Sequence, residues 1–302
     1  MARWWLLALG LTGWVVCGLA VCPWGEAGSG ARVSDGPRAV RIVSLAPNVT
    51  EILFALGAGE RVAAVTSHCN WPPAATTKAK VGTFWQPNLE AIIGARPDLV
   101  VALDMAQQAL VVQRLSRMGY RCLTLSIDTV GQLMEAIETL GRALGCPDQV
   151  GSLRASLTRR LATAGQMPGP RPRVLWVVQR SPLRVAGQRT FVNEMIELAG
   201  GRNAVGPTIY RYPPIGAEQV LACRPEVIIE PGEVAGLTAC EGPQAEFWNR
   251  FKGVPAVADH RIYRVNADVV SRLGPRLADG VEQIAQCLRP ATLHPQPLTL
   301  NP

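Results

Sequence analysis

Twice along this chain, strand patterns and helical patterns alternate in the same order, and two stretches match in register at an offset of 128 residues. The run EAIIGARPDLVV from Glu90 to Val101 parallels EQVLACRPEVII from Glu218 to Ile229, and EILFALG from Glu51 parallels EMIELAG from Glu194. The spacing predicts strands over 41–45, 62–66, 99–103 and 121–127, with helices over 49–56, 89–95 and 106–118 between them. Strands over 174–178, 227–229 and 262–265 and helices over 191–199, 217–223 and 277–288 repeat the rhythm. Asn48 and Glu51 have capping-box spacing, and Gly57, Gly119 and Gly200 stand where a helix would stop. Such alternation implies parallel sheets covered by helices on both faces. A period this long excludes a solenoid, whose repeats span about 20–50 residues. The fold class expected is α/β, two Rossmann-like lobes with parallel sheets.

The connection between the halves reads as helical. Thr129 and Gln132 cap one helix, which carries Leu133, Ile137, Leu140 and Leu144 on one face and stops at Gly145. Pro147 then suits a first helical turn, and Val150, Leu153, Leu157 and Leu161 form the apolar stripe of a second helix. That helix would be roughly 25–30 Å long at about 1.5 Å per residue. The division expected is an N-terminal lobe over 38–146, a single interlobe helix over 147–166, a C-terminal lobe over 172–289 and a flexible Pro-rich tail over 290–302. A helical strut between lobes predicts a cleft whose walls move little.

Composition excludes some partners. The net charge of +7 would permit a nucleic-acid ligand, but the longest basic run is Arg159-Arg160, and no stretch interleaves cations with aromatics. Residues 1–27 read as a signal peptide: Arg3 precedes nineteen uncharged residues, Trp4 to Cys22. Leu19-Ala-Val-Cys22 looks like a bacterial lipoprotein signal, making Cys22 the lipidation candidate, although Val21 is larger than the residue usual there. Ordinary cleavage near 25–27 and an uncleaved anchor are the alternatives. All three export the chain, to the periplasm or to the outer face of the cytoplasmic membrane. Six cysteines follow the leader, none in a CxxC pair, and the three histidines form no cluster, so no metal site is expected. Disulfides are permitted in that compartment but their pairing is not legible, and buried free thiols are the simpler reading.

Five further segments, in this order, carry a family resemblance: RIVSLAPNVTE (41–51), WPP (71–73), VGTFWQPNLE (81–90) with RPD (96–98), EQVL (218–221) and GPR (274–276). The chain resembles the exported ligand-binding proteins of ABC importers for vitamin B12 and iron chelates, the class with one helix between its lobes. The resemblance spans about 41–288 and implies no enzymatic activity, no cofactor, a monomer, a small-molecule metal chelate as ligand and a membrane permease as partner. It assigns Glu90 and Glu218 to docking on permease arginines, where carboxylate–guanidinium pairs fix orientation. Their position in a predicted first turn offers a second account, stabilisation by the helix dipole. It assigns ligand contact to His68, Trp71, Phe84 and Trp85 in the first lobe and to Arg184, Tyr212, Asp268 and Arg272 in the second. Aromatic faces and a few polar groups suit a large flat macrocycle. Core packing is the alternative for each aromatic.

The loop SHCNWPP (67–73) resembles the cobalamin binders most, with His68 where an aromatic phenol is common. His68 would either donate a hydrogen bond to the ligand's edge or approach its metal. The function expected is capture of cobalamin or a related corrinoid, with a ferric siderophore or haem as the alternative ligand. Two other classes stand against it. A chelatase-like enzyme lacks support, since no Gly-rich phosphate loop, GxSxG or HExxH occurs. An exported sensor would require the leader to be retained.

Overall fold

The computed structural model describes residues 39–166, 169–240 and 246–289. The segment 1–27 expected to be a leader, with its lipidation candidate Cys22, and the tail 290–302 lie outside the described residues. In the N-terminal lobe the strands are β1 (Ile42–Ser44), β2 (Val62–Val65), β3 (Ala79–Lys80), β4 (Leu99–Leu103) and β5 (Cys122–Leu125). They form one sheet in the order β3-β2-β1-β4-β5, with every pairing parallel. Helices α1 (Pro47–Ala55), α2 (Pro73–Thr76), α3 (Leu89–Gly94) and α4 (Ala106–Arg117) make the crossovers. The chain moves outward from β1 to β3 and then returns to the other side of β1. The order therefore reverses between β1 and β4, where open α/β sheets place their ligands.

Two helices lead to the second lobe. In α5 (Val130–Leu144), Thr129 caps the start by accepting from the Gln132 amide at 3.2 Å, and Gly145 ends it at φ 64°. Pro147 then opens α6 (Pro147–Ala164). The helices cross closely at Gly141, where a Cβ would collide with Val150, so a larger residue there would push α6 away. An ion pair from Arg154 to Glu138 ties α6 back to α5.

The C-terminal lobe contains β6 (Arg173–Arg180), β7 (Leu183–Val185), α7 (Phe191–Leu198), β8 (Arg202–Asn203), α8 (Ala217–Cys223), β9 (Val227–Gly232), β10 (Thr238–Ala239), α9 (Pro255–Ala258), β11 (Ile262–Asn266), α10 (Ala267–Val270) and α11 (Leu277–Leu288). Its sheet runs β10-β11-β9-β6-β7, with β8 also paired to β6. The expectation of a parallel sheet holds only at its centre. β7 is antiparallel to β6, and β10 is antiparallel to β11. The reason is link length: two residues join β6 to β7 and five join β9 to β10, whereas a parallel crossover needs about a dozen or more.

The joint between lobes is packed on both sides. One continuous apolar cluster runs from Ile42, Val49 and Leu99 through Leu133, Ile137, Leu157 and Leu161 to Val174, Val265 and Ile284. Burying each such leucine or isoleucine contributes about 1.5–3 kcal/mol. Arg160 of α6 also holds Glu282 and Asp279 of α11 at 2.8 and 2.5 Å, and these carboxylates raise its pKa further. The joining helix is thus clamped to α5 on one side and α11 on the other.

The capping box expected at Asn48 and Glu51 does not form. Helix α1 starts one residue before Asn48, at Pro47, and its cap residue Ala46 offers no side-chain acceptor. Asn48 instead donates to the Leu273 carbonyl at 3.2 Å, and Glu51 accepts from Arg276 at 2.6 and 2.9 Å. A bidentate pair with a guanidinium outweighs a single bond to a backbone amide. Among the described residues all six cysteines are free thiols. Burial pushes the Cys287 thiol far up its range, and Cys69 is buried against Thr50 and Thr66.

Candidate ligand cleft

Where the N-terminal sheet reverses its order, the residues just after its strands wall a cavity. Pro47 and Asn48 follow β1, Leu103 ends β4, and Ile127 and Asp128 follow β5. The opposite wall comes from the second lobe, with Phe191 at the start of α7 and Ala267, Asp268, Ser271, Arg272 and Leu273 after β11. His68, Phe84 and Trp85 complete the lining, and the cavity measures about 420 Å³. That volume lies within the roughly 300–1,000 Å³ usual for small-molecule sites. A shallower groove of about 430 Å³ beside α6 offers only Asp148 as a charge and no aromatic.

The aromatic wall is braced from behind. Phe84 and Trp85 meet edge to face with centroids 4.7 Å apart, and Trp85 is 53% exposed. Gln108 of α4, fully buried, donates to the Phe84 carbonyl at 3.1 Å and the Leu45 carbonyl at 2.9 Å, and accepts from the Leu103 amide at 3.0 Å. One amide thereby satisfies three backbone groups on three segments of the cleft. The His68 Nδ1 lies 3.4 Å from the Phe84 amide and 3.4 Å from the Ser67 hydroxyl.

The polar wall is a network that crosses between lobes. Asn70 donates to Asp268 at 2.9 Å; Arg272 donates to Asn70 at 2.5 Å and to Asp268 at 2.7 Å. Beneath it Glu51, its side chain 2% exposed, faces Arg276 at 2.6 Å and Arg272 at 3.7 Å. Burial disfavours the Arg276 cation, but the Glu51 carboxylate outweighs it and raises the guanidinium's pKa. These contacts hold the loop after β2 and helix α1 against the loop before α11.

Five of the eight ligand candidates therefore converge: His68, Phe84, Trp85, Asp268 and Arg272. Three stand apart from the cavity lining. Trp71 lines a separate pocket of about 270 Å³ with Glu51, Phe54 and Arg276, whose guanidinium sits 4.9 Å from its ring centroid. Arg184 lies in strand β7, not in the loop expected after Val178, because the chain turns back as a hairpin and pairs it with Gln179. It donates to the Tyr212 carbonyl at 3.3 Å, while the half-buried Tyr212 packs against the main core, and burial raises its pKa. Glu90 and Glu218 are exposed in the first turns of α3 and α8, and neither forms an ion pair among the described residues.

Leu103, Ile127, Asp128 and Phe191 belong to the cleft without having been singled out in the sequence. The first three were discoverable by position, since each ends or follows a predicted strand at the ligand-binding edge. Phe191 carried no local signal beyond a helix start, and Gln108 none at all. Among the described residues no group of three or more His, Cys, Asp or Glu side chains comes together as a metal site.

Two lobes, a packed helical joint and a cleft at the strand ends are the architecture of a bilobal solute-binding protein. Residues 42–269 match the periplasmic binding protein family, and the chain belongs to that family. It is 27% identical over 254 residues to a vitamin B12-binding protein of Vibrio cholerae, covering 83% of this chain and 90% of the relative. It is 30% identical over 261 residues to an uncharacterized ABC transporter substrate-binding lipoprotein of Bacillus subtilis, covering 83% and 81%. A solved periplasmic heme-binding protein of Pseudomonas aeruginosa superposes with a TM-score of 0.68 at 26% identity, covering 84% and 94%. The family is one of substrate-binding transport components, and the chain is a binding protein rather than an enzyme.

Proposed function

We propose that this protein is exported, captures cobalamin or a related corrinoid in the interlobe cleft, and delivers it to the permease of an ABC importer. The observation that carries the reading is the pairing of an edge-to-face Phe84–Trp85 wall with a polar wall of Asp268 and Arg272 across one cavity. Flat aromatic faces give a macrocycle large contact area with little ordering of side chains, and the opposing charges orient its amide-rich edge. The cavity is small enough that a corrinoid would project beyond it, toward the exposed face of Trp85. Glu90 and Glu218 serve delivery. Helices α3 and α8 run antiparallel to the strands they precede, so their first turns lie at the strand ends that carry the cleft. The free carboxylates there suit bidentate capture of permease arginines.

His68 supports a second reading, haem or a ferric siderophore. Accepting from the Phe84 amide through Nδ1 puts the imidazole proton on Nε2, which makes the ring a donor to the ligand's edge. Rotating the Ser67 hydroxyl to accept from Nδ1–H instead frees Nε2 to ligate a metal. The test is to titrate the purified protein with cyanocobalamin, haemin and a ferric siderophore and measure heat and retained colour. Cyanocobalamin is expected to bind at micromolar Kd or tighter, about −8 kcal/mol. Phe84→Ala is expected to weaken it tenfold or more. Retention of haemin or siderophore alone would overturn the corrinoid assignment and leave a chelate importer component.

A further inference from the structure

In a parallel sheet every strand begins at the same edge, and both sheets of this protein begin theirs among cations. Nine strands run parallel: β1 to β5, β6, β8, β9 and β11. The first residue of each and the three before it hold ten basic side chains and four acidic ones, with a lysine or arginine at every strand. Arg117, at the end of α4, adds another at the same edge.

Some of these cations have an internal role. Arg41 donates to the Ala95 carbonyl after α3 at 2.5 Å, Arg61 to the Leu144 carbonyl of α5 at 3.2 Å, and Arg261 to the Leu288 carbonyl of α11 at 2.8 Å. There they answer the negative ends of helices. Arg96, Arg117, Arg202 and Arg224 have no such role: all four are exposed, and their side chains form no hydrogen bond or ion pair among the described residues. Arg202 also stands in register beside Arg173, a like-charge neighbour that costs stability. The acids do not cancel them. Asp98 accepts from the amides of Val40 and Arg41, and Glu226 is taken up by Arg173, which leaves Glu60 and Asp259 as the exposed counter-charges.

Two features set this surface toward a membrane. Helix α6 begins beside the end of α5 and closes against the end of α7, where a Cβ on Gly165 would lie 2.4 Å from the Leu198 carbonyl. It therefore joins the starting edges of both sheets, on the side of the molecule away from the cleft. The chain also enters at that edge: sixteen residues, 23–38, separate Cys22 from Ala39, and they reach at most about 50–60 Å. An anchor at or before Cys22 keeps this side of the molecule within that distance of the bilayer.

We infer that this cationic surface rests on the anionic phospholipid of the cytoplasmic membrane and so turns the cleft outward to meet its ligand. This rests on the reading above that the chain is exported. Glu90 and Glu218 lie at the opposite strand ends, so the protein must leave the lipid before it docks on a permease.

The test sediments the purified protein with vesicles of phosphatidylcholine alone and of phosphatidylcholine with an equal part of phosphatidylglycerol. Any apolar anchor acts on both, so the excess on anionic vesicles reports charge. That excess is expected to be tenfold or more at about 0.1 M salt and to vanish near 1 M, where the screening length falls from about 10 to 3 Å. Arg96→Gln combined with Arg224→Gln is expected to cut it tenfold or more, since each cation near an anionic surface is worth about fivefold. Arg184→Gln combined with Arg211→Gln removes the same charge from the cleft side and should leave the excess within about twofold, as neither cation faces the lipid. Equal losses from the two pairs, or no excess at low salt, overturn the surface. Protection of the chain from protease added to intact cells would overturn the export reading alone, whatever the vesicles show.

Discussion

In the N-terminal lobe two residues, Leu45 and Ala46, separate β1 from α1; in the C-terminal lobe the corresponding link runs from Ser181 to Thr190 and holds β7. The link before the helix that carries Glu90 or Glu218 differs in the opposite sense. Residues 66–88 contain α2, β3 and the aromatics Trp71, Phe84 and Trp85, whereas the second lobe spends 204–216 on a loop tied down by arginines. The repeated core is therefore common to both halves, and the two walls of the cleft are built from segments that differ between them. One wall is aromatic, and the other pairs Asp268 with Arg272.

Some matched positions kept their geometry. Arg96 and Arg224, at the same point after α3 and α8, adopt φ of 45° and 43°. Both precede a proline and both are exposed. Glu51 and Glu194, matched in the two first helices of the repeat, each reach into the opposite lobe. Glu51 pairs with Arg276, and Glu194 accepts from the Val130 amide at 2.7 Å. The repeat thus supplies a reciprocal clasp, buried and charged on one side, half-buried and backbone-directed on the other.

Three experiments probe this symmetry, in falling order of effect. Glu90→Ala combined with Glu218→Ala is expected to abolish ligand uptake in cells while the titrated affinity stays unchanged. Each single change should reduce uptake to a similar degree, and impaired binding would place these carboxylates in the fold or the cleft instead. For the clasp, Glu51→Gln leaves the largely buried Arg276 guanidinium without its carboxylate and is expected to lower stability by about 3–5 kcal/mol in urea unfolding. Glu194→Ala orphans only the Val130 amide and should lose about 1–3 kcal/mol. Equal losses would mean the two sides of the clasp are equivalent after all. Smallest is the relief of left-handed backbone. Arg96→Gly and Arg224→Gly should each stabilise by about 1 kcal/mol or less, since the gain of about 1–2 kcal/mol is partly cancelled by glycine's freedom in the unfolded chain. Opposite signs at the two positions would break the match.

The fold was largely legible because it is written in local periodicity. Helices α8 and α11 begin and end where the apolar spacing and stop residues place them, and Pro147 and Gly145 mark the joint to the residue. The antiparallel flanks were not legible, because β10 has only two residues and β7 three, too few to show an alternation. At the cleft, Phe84 and Trp85 were visible as aromatics in an irregular segment before a helix. Gln108 was not, since nothing in the pattern of α4 distinguishes a buried amide from the exposed glutamine beside it. Asn48 and Glu51 show the limit most plainly: their spacing suits a cap, yet their partners lie 225 residues away.

From its residues alone this chain determined two α/β halves, the helix between them and the equivalent seats of Glu90 and Glu218, because turns, caps and apolar stripes act over a few positions. Only the tertiary structure decided that Asn70 meets Asp268 across 198 residues, that Trp71 belongs to a different pocket from Trp85, and that Arg211 meets Asp128 across 83. Those outcomes depend on how two separately formed sheets are set against a common packed joint, and no short-range pattern encodes that setting.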